Sequence, residues 1–334
     1  MQTVKSPALC LIHYLNPLNP MKSKHGNFLL IPGKDCLEKE NVLLRSDADF
    51  LDAELRKEGT CDSRFVLLGI SESVGPLANY GRSGAEHAFH AFLSFFRKMP
   101  RRTLPLSFLG CIEFIGPKEL SPTAASELVI ELDDFVLSVL HALVNPNQIP
   151  MVVGGGHNNA LPLIRWANSV HKEVSVVNID AHTDCRPTEN RHSGNSFSTA
   201  IEEGSLNDYS VLGLHQDSLS DAMVSFMEQN AIFYTCYEAY LMQRRKFFDD
   251  YKHVSEGRRI GLEVDLDCIA NMPSSAESPS GWRLDDIRRL LLSVNPEEVL
   301  YLHLTEAAPI NEQEKRHVGK SLSYLCLDFL NPTE

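Results

Sequence analysis

From residue 64 onward, short apolar runs of strand length alternate with longer stretches in which apolar side chains recur every three or four residues. The runs predict strands at 64–70, 106–114, 149–153, 174–179, 209–214, 232–234, 259–265 and 299–304. The longer stretches predict helices at 85–96, 124–144, 159–169, 218–229, 238–251, 283–293 and 321–330. The second helix is the clearest: Leu128, Leu132, Val136, Val139 and Leu143 fall on one face, and Pro146 stops it just beyond. Apolar strands alternating with helices imply a largely parallel sheet covered on both faces, with ligand sites at the carboxyl ends of the strands.

Residues 1–60 break this rhythm. Pro7, Pro17, Pro20 and Pro32 mix with a charged stretch at 35–56, and a short helix is expected at 48–57. We read 1–60 as an N-terminal extension packed on a single main domain, 61–334, which shows no repeat, low-complexity tract or linker.

Composition narrows the function. The 334 residues are 43% hydrophobic, enough for a sizeable core. A net charge of −13 provides no basic field for a phosphate backbone, so no nucleic-acid partner is expected. No apolar run reaches the roughly 18 residues of a membrane span. Residues 1–20 carry Lys5 and the polar breaks His13, Asn16 and Asn19, which do not make a secretory signal. The eight cysteines are scattered without a CxxC pair and read as reduced, mostly buried thiols of a cytoplasmic protein.

Three segments place acids and histidines just past strand ends: Gly154-Gly155-Gly156-His157-Asn158-Asn159, Asp180-Ala181-His182-Thr183-Asp184 and Asp265-Leu266-Asp267. On an extended strand end, Asp180, His182 and Asp184 would point the same way, and Asp265 with Asp267 repeats that spacing. Four carboxylates crowded together repel one another unless cations lie between them. The mixed carboxylate and imidazole set suits Mn²⁺, with Zn²⁺, Fe²⁺, Co²⁺ and Ni²⁺ also compatible. Two such ions would make a hydroxide available near neutral pH for hydrolysis of an electrophilic carbon. Taken singly, each segment has an ordinary reading: a hydrogen-bonded strand end, a capping pair, or a glycine turn (which lacks the lysine of a P-loop). Their coincidence at three strand ends of one sheet favours a dinuclear metal centre.

In these three motifs the chain resembles the ureohydrolases, the family of arginases, agmatinases and formimidoylglutamases, over roughly residues 64–310. The resemblance implies a three-layer α/β/α fold with an eight-stranded, mostly parallel sheet and two Mn²⁺ per chain. It implies His157 and Asp184 as terminal ligands of one ion, His182 and Asp267 of the other, and Asp180 and Asp265 as bridges. It also places Glu306 where the family grips a planar amidine, a role that suits a carboxylate facing N–H donors. Asp184 would carry the proton to the leaving nitrogen.

Within the family, Arg186 and Phe197 set the chain apart. Arginases and agmatinases carry a proton-shuttling histidine where Phe197 stands, and arginases a small amide where Arg186 stands. Both departures resemble formimidoylglutamases. Formiminoglutamate carries two carboxylates, and the planar fork of Arg186 suits one of them. The resemblance adds Asn195 as a substrate contact, and Gln216 departs from an acid of arginases. His192 and His215 are alternatives for the missing proton shuttle. The expected activity is hydrolysis of N-formimidoyl-L-glutamate to L-glutamate and formamide, with other guanidino or amidine substrates as alternatives. A small-molecule substrate and a homo-oligomer are the expected partners. A metal-binding homologue without catalysis is the rival from another class, and six ligands argue against it. A single-zinc, deacetylase-like hydrolase would not need both Asp265 and Asp267 beside His157.

Overall fold

The computed structural model describes residues 21–39, 51–52, 63–99 and 106–331. All eight expected strands are present: β4 (Phe65–Ser71), β5 (Leu106–Ile115), β6 (Ile149–Val153), β7 (Ser175–Ile179), β8 (Asp208–Leu214), β9 (Phe233–Cys236), β10 (Ile260–Asp265) and β11 (Val299–Thr305). They form one parallel sheet in the order β5-β4-β6-β11-β10-β7-β8-β9. Every residue of β4, β6, β10 and β11 is buried, as expected for strands with helices on both sides.

The sheet is larger than the expected eight strands because the N-terminal segment joins it. β2 (Asn27–Pro32) runs antiparallel to β5, β1 (Met21–Lys22) antiparallel to β2, and β3 (Leu51–Asp52) parallel to β5. The helix expected at 48–57 is therefore absent at its described residues; the rest of that span lies outside them.

Alternate strand residues enter two separate cores, which makes three layers. Val177, Leu262 and Leu302 pack with α3 (Ala88–Phe96), α10 (Leu284–Ser293) and α11 (Glu312–Leu330). Val152, Val176 and Val211 pack with α4 (Pro122–Leu143) and α5 (Ala160–His171). α4 starts where Ser121 Oγ accepts from the Ala124 N–H and Pro122 fills the first turn. Its Leu128, Leu132, Val136 and Val139 are buried on the expected face.

The helix expected at 238–251 divides into α8 (Tyr237–Leu241) and α9 (Phe247–Ser255). Between them Gln243 has φ +53°, and exposed Met242 and the Arg244-Arg245-Lys246 run offer no apolar anchor to carry one helix across. α11 begins nine residues earlier than expected, at Glu312, because Asn311 caps a polar first half that has no apolar period. The chain also forms α1 (Gly33–Lys39), α2 (Val74–Ala78), α6 (Ser196–Glu202) and α7 (Asp221–Gln229). No described helix is long and apolar enough to cross a membrane.

Candidate metal centre

β6, β11, β10 and β7 are neighbours, and their carboxyl ends deliver His157, Glu306, Asp265 with Asp267, and Asp180 to Asp184 to one place. After β6 the chain turns sharply through Gly154 (φ +92°) and Gly155 (φ +73°). A Cβ on Gly154 would lie 2.6 Å from the Ile70 carbonyl oxygen, so this turn requires glycine. Glu72, fully buried, clamps the turn: its carboxylate accepts from the Gly156 N–H (2.9 Å) and the Asn159 amide (2.7 Å).

The segment after β7 is a loop and not an extended strand end. Asp184 has φ +45°, so alternation of faces does not explain how Asp180, His182 and Asp184 converge. Local bonds do. Asp180 accepts from the His182 N–H through Oδ1 (2.7 Å) and from Asn178 Nδ2 through Oδ2 (2.8 Å). Asp265 Oδ1 likewise accepts from the Asp267 N–H (2.8 Å), which turns the chain out of β10.

The six predicted ligands form two groups. His157, Asp180, Asp184 and Asp265 make one; Asp180, His182 and Asp267 make the other. Asp180 belongs to both, one oxygen to each side: Oδ2 is 3.4 Å from His157 Nδ1 and Oδ1 is 3.6 Å from His182 Nδ1. Asp265 stands in the first group only.

Burial raises the proton affinity of Asp184 and, more strongly, of Asp265, which also feels the charges of Asp267 and Asp180. Asp267 raises that of His182. For His157 burial opposes protonation, but Asp180, Asp184, Asp265 and Glu263 together outweigh it. A cation between these groups reverses that balance.

The donor set fits such cations. His157 Nδ1 is buried and makes no hydrogen bond, yet carboxylate oxygens of Asp184, Asp265 and Asp180 lie 2.9, 3.1 and 3.4 Å away. One imidazole nitrogen cannot donate to three acceptors, whereas a cation can bind all four atoms. Asp267 Oδ1 is a second buried atom without a partner.

A cleft at the centre is lined by His182, Asp184, Asp265, Asp267 and Glu306 together with Asn79, Ser193, Ser275 and Arg186, whose exposure marks the mouth. Glu306 has φ +63°; its N–H donates to the Gly155 carbonyl and its Oε1 accepts from the His157 N–H (2.7 Å). Burial, then the charges of Asp267 and Asp184, push its carboxyl up to about 8.

Other expected contacts fall differently. Arg186 lines the mouth but is exposed, with Nη1 donating to Asn79 Oδ1 (2.9 Å), so the anchor is not a buried one. Asn195 does not line the cleft. It is fully buried, with its amide spent on the Pro187 and Asn190 carbonyls and its oxygen on Arg191 and the His192 N–H. Phe197 is buried behind His157 and stacked on Tyr209, with ring centroids 4.3 Å apart. His192 Nδ1 accepts from the Gly194 N–H, and burial with Arg186 and Arg191 nearby lowers its pKa to about 4. His215 packs on Tyr237, Gln216 is exposed, and neither lines the cleft.

Four polar residues escaped the sequence reading: Glu72, Asn178, Glu263 and His303, all fully buried. The last three each interrupt an otherwise apolar strand, which was the available signal.

The profile described as the Arginase family matches residues 65–328. A formimidoylglutamase of Staphylococcus aureus is 26% identical over 187 residues, which are 55% of this chain and 58% of that relative's length. Among solved structures, a Trypanosoma cruzi formiminoglutamase with Mn²⁺ superposes with a TM-score of 0.66 at 19% identity, covering 84% of this chain and 97% of that one. A Bacillus subtilis formimidoylglutamase gives 0.66 at 18%, covering 89% and 98%. A proclavaminate amidino hydrolase of Streptomyces clavuligerus gives 0.63 at 16%, covering 81% and 93%.

Proposed function

The chain belongs to the arginase family, and on that premise we propose that it is a dinuclear-manganese hydrolase converting N-formimidoyl-L-glutamate to L-glutamate and formamide. The observation that carries this reading is the pair of ligand groups sharing Asp180 at the base of a cleft that Glu306 and Arg186 also line. The names of the relatives support the substrate.

His157, Asp184 and Asp265 on one side, His182 and Asp267 on the other, and Asp180 between them would hold two divalent ions, which supply Lewis acidity and ease deprotonation of the attacking water. Glu306 is fixed by the His157 N–H on Oε1, so Oε2 is left to accept N–H groups of the planar amidinium and turn its carbon toward the centre. Asp184 lines the same cleft, and burial raises its proton affinity. It takes the proton released by the attacking water and passes it to the leaving nitrogen. Arg186, held by Asn79 at the mouth, turns its remaining N–H donors to a carboxylate of the substrate tail. The same fork disfavours a cationic tail such as that of agmatine.

The test is a substrate panel with manganese present. Formimidoylglutamate, arginine and agmatine are each followed for glutamate, formamide and urea. Glutamate and formamide without urea are expected. Urea from arginine or agmatine, or no turnover of formimidoylglutamate by protein holding two ions, overturns the reading.

A further inference from the structure

We infer that Glu263 and His303 are positioning residues, a buried pair that fixes the tautomer and orientation of His157 and so sets how tightly the proposed centre holds its ions. The inference rests on the metal-centre reading above.

The sheet register creates the pair. Glu263 of β10 stands opposite His303 of β11 on one side and Asn178 of β7 on the other. These three polar side chains form a row across neighbouring strands, on the face away from Leu262, Val264, Leu302 and Leu304. All three are fully buried, and burying a carboxylate beside an imidazole is unfavourable unless each is partnered. Asn178 already has a task, since it donates to the ligand Asp180. Glu263 Oε2 lies 2.6 Å from His303 Nδ1 and 3.4 Å from His157 Nε2.

Those two distances determine where the protons are. A carboxylate oxygen only accepts, so the nitrogens facing it carry hydrogen: Nδ1 of His303 and Nε2 of His157. The contact to His157 is long and off-line for a hydrogen bond, so it acts through charge, and a lone pair pointed at the carboxylate would be repelled. With hydrogen on Nε2, the lone pair of His157 lies on Nδ1, the nitrogen that faces Asp184, Asp265 and Asp180. The pair therefore makes Nδ1 a ligand and raises its basicity. The rings of Phe197 (centroids 5.2 Å apart, planes at 89°) and His303 (5.9 Å) hem in the His157 ring and hold its plane.

Titration of metal-free protein with Mn²⁺ in a calorimeter, with electron paramagnetic resonance of the loaded form, tests this. Glu263→Gln keeps the shape and removes the charge. One ion should bind about 10- to 100-fold more weakly, and at limiting Mn²⁺ the spectrum should shift from a coupled pair to single ions. His303→Leu should act in the same direction. His303→Asn, which returns an N–H to the place of Nδ1–H, should restore the wild-type Kd. If Glu263→Gln fails to fold, the two His303 variants decide alone. Variants that lower the melting temperature of the metal-free protein but leave both Kd values and the spectrum unchanged would show a purely structural pair and overturn the inference. A wild type that binds no pair of ions overturns the proposed function as well; a wild type that binds two, beside variants with unchanged Kd, overturns this inference alone.

Discussion

Replacing Glu306 by glutamine separates grip on the substrate from architecture. The His157 N–H bond on Oε1 at 2.7 Å survives in the amide, so the loop and His157 stay in place. What changes is the other oxygen, which becomes an NH₂ group facing the N–H donors of an amidinium. A hydrogen bond to a charged group contributes a net of about 1.5–3 kcal/mol, and each 1.36 kcal/mol of barrier is tenfold in rate, so kcat/KM should fall about 10- to 150-fold. Steady-state turnover of formimidoylglutamate, with manganese content measured on the same samples, reads this directly. Glu306→Gly adds a second arm. The residue sits at φ +63°, a region costing roughly 1 kcal/mol or more that glycine adopts freely. Relief of that strain offsets much of the lost bond to His157, so the glycine variant should denature near the wild type while turnover collapses. An unchanged kcat/KM for Glu306→Gln at equal metal content would refute the reasoning and leave Glu306 as a loop anchor.

Arg186→Ala should raise KM only about 1.5- to 5-fold, the range of a solvent-exposed charge contact, because the guanidinium stands at the open mouth; a hundredfold change would mean that it is engulfed on binding. Arg191→Met leaves Asp133, 2% exposed, as a buried carboxylate without its two-pronged hydrogen-bond partner and should cost about 3–5 kcal/mol in urea denaturation; a loss under about 1 kcal/mol would contradict the pairing. Burial raises the folded-state pKa of Asp133, so the folded protein holds that proton more tightly, and stability falls as pH rises above the carboxylate's unfolded value. The variant's deficit should thus be smaller at pH 4–5 than at pH 7, and the opposite trend would exclude this cause. Chelation of divalent ions should lower the melting temperature, with about 2.7 kcal/mol lost where the free ion had stood at 100 times its Kd, and added Mn²⁺ should restore it; a melting curve indifferent to chelator would count against a resident centre.

The strand pattern and the candidate ligand set were legible in the sequence. β4, β6, β10 and β11 are buried on both faces, so each reads as an apolar run, broken within only by Glu263 in β10 and His303 in β11, and an acid or histidine at the end of such a run stands out whatever the tertiary path. His157, Asp180, His182, Asp184, Asp265 and Asp267 stand out in this way. What periodicity does not encode is which residues of distant segments meet. Asp184 leaves the extended conformation at φ +45°, and Asp180 divides its two oxygens between the two ligand groups. Asn195 is absorbed by the loop that was expected to present it, and Arg186 faces solvent at the mouth of the cleft. Glu263 and His303 are forty positions apart and become partners only because β10 and β11 pair in that register. Local pattern records whether a side chain is buried; sheet order and register, which depend on every strand at once, decide what it is buried against.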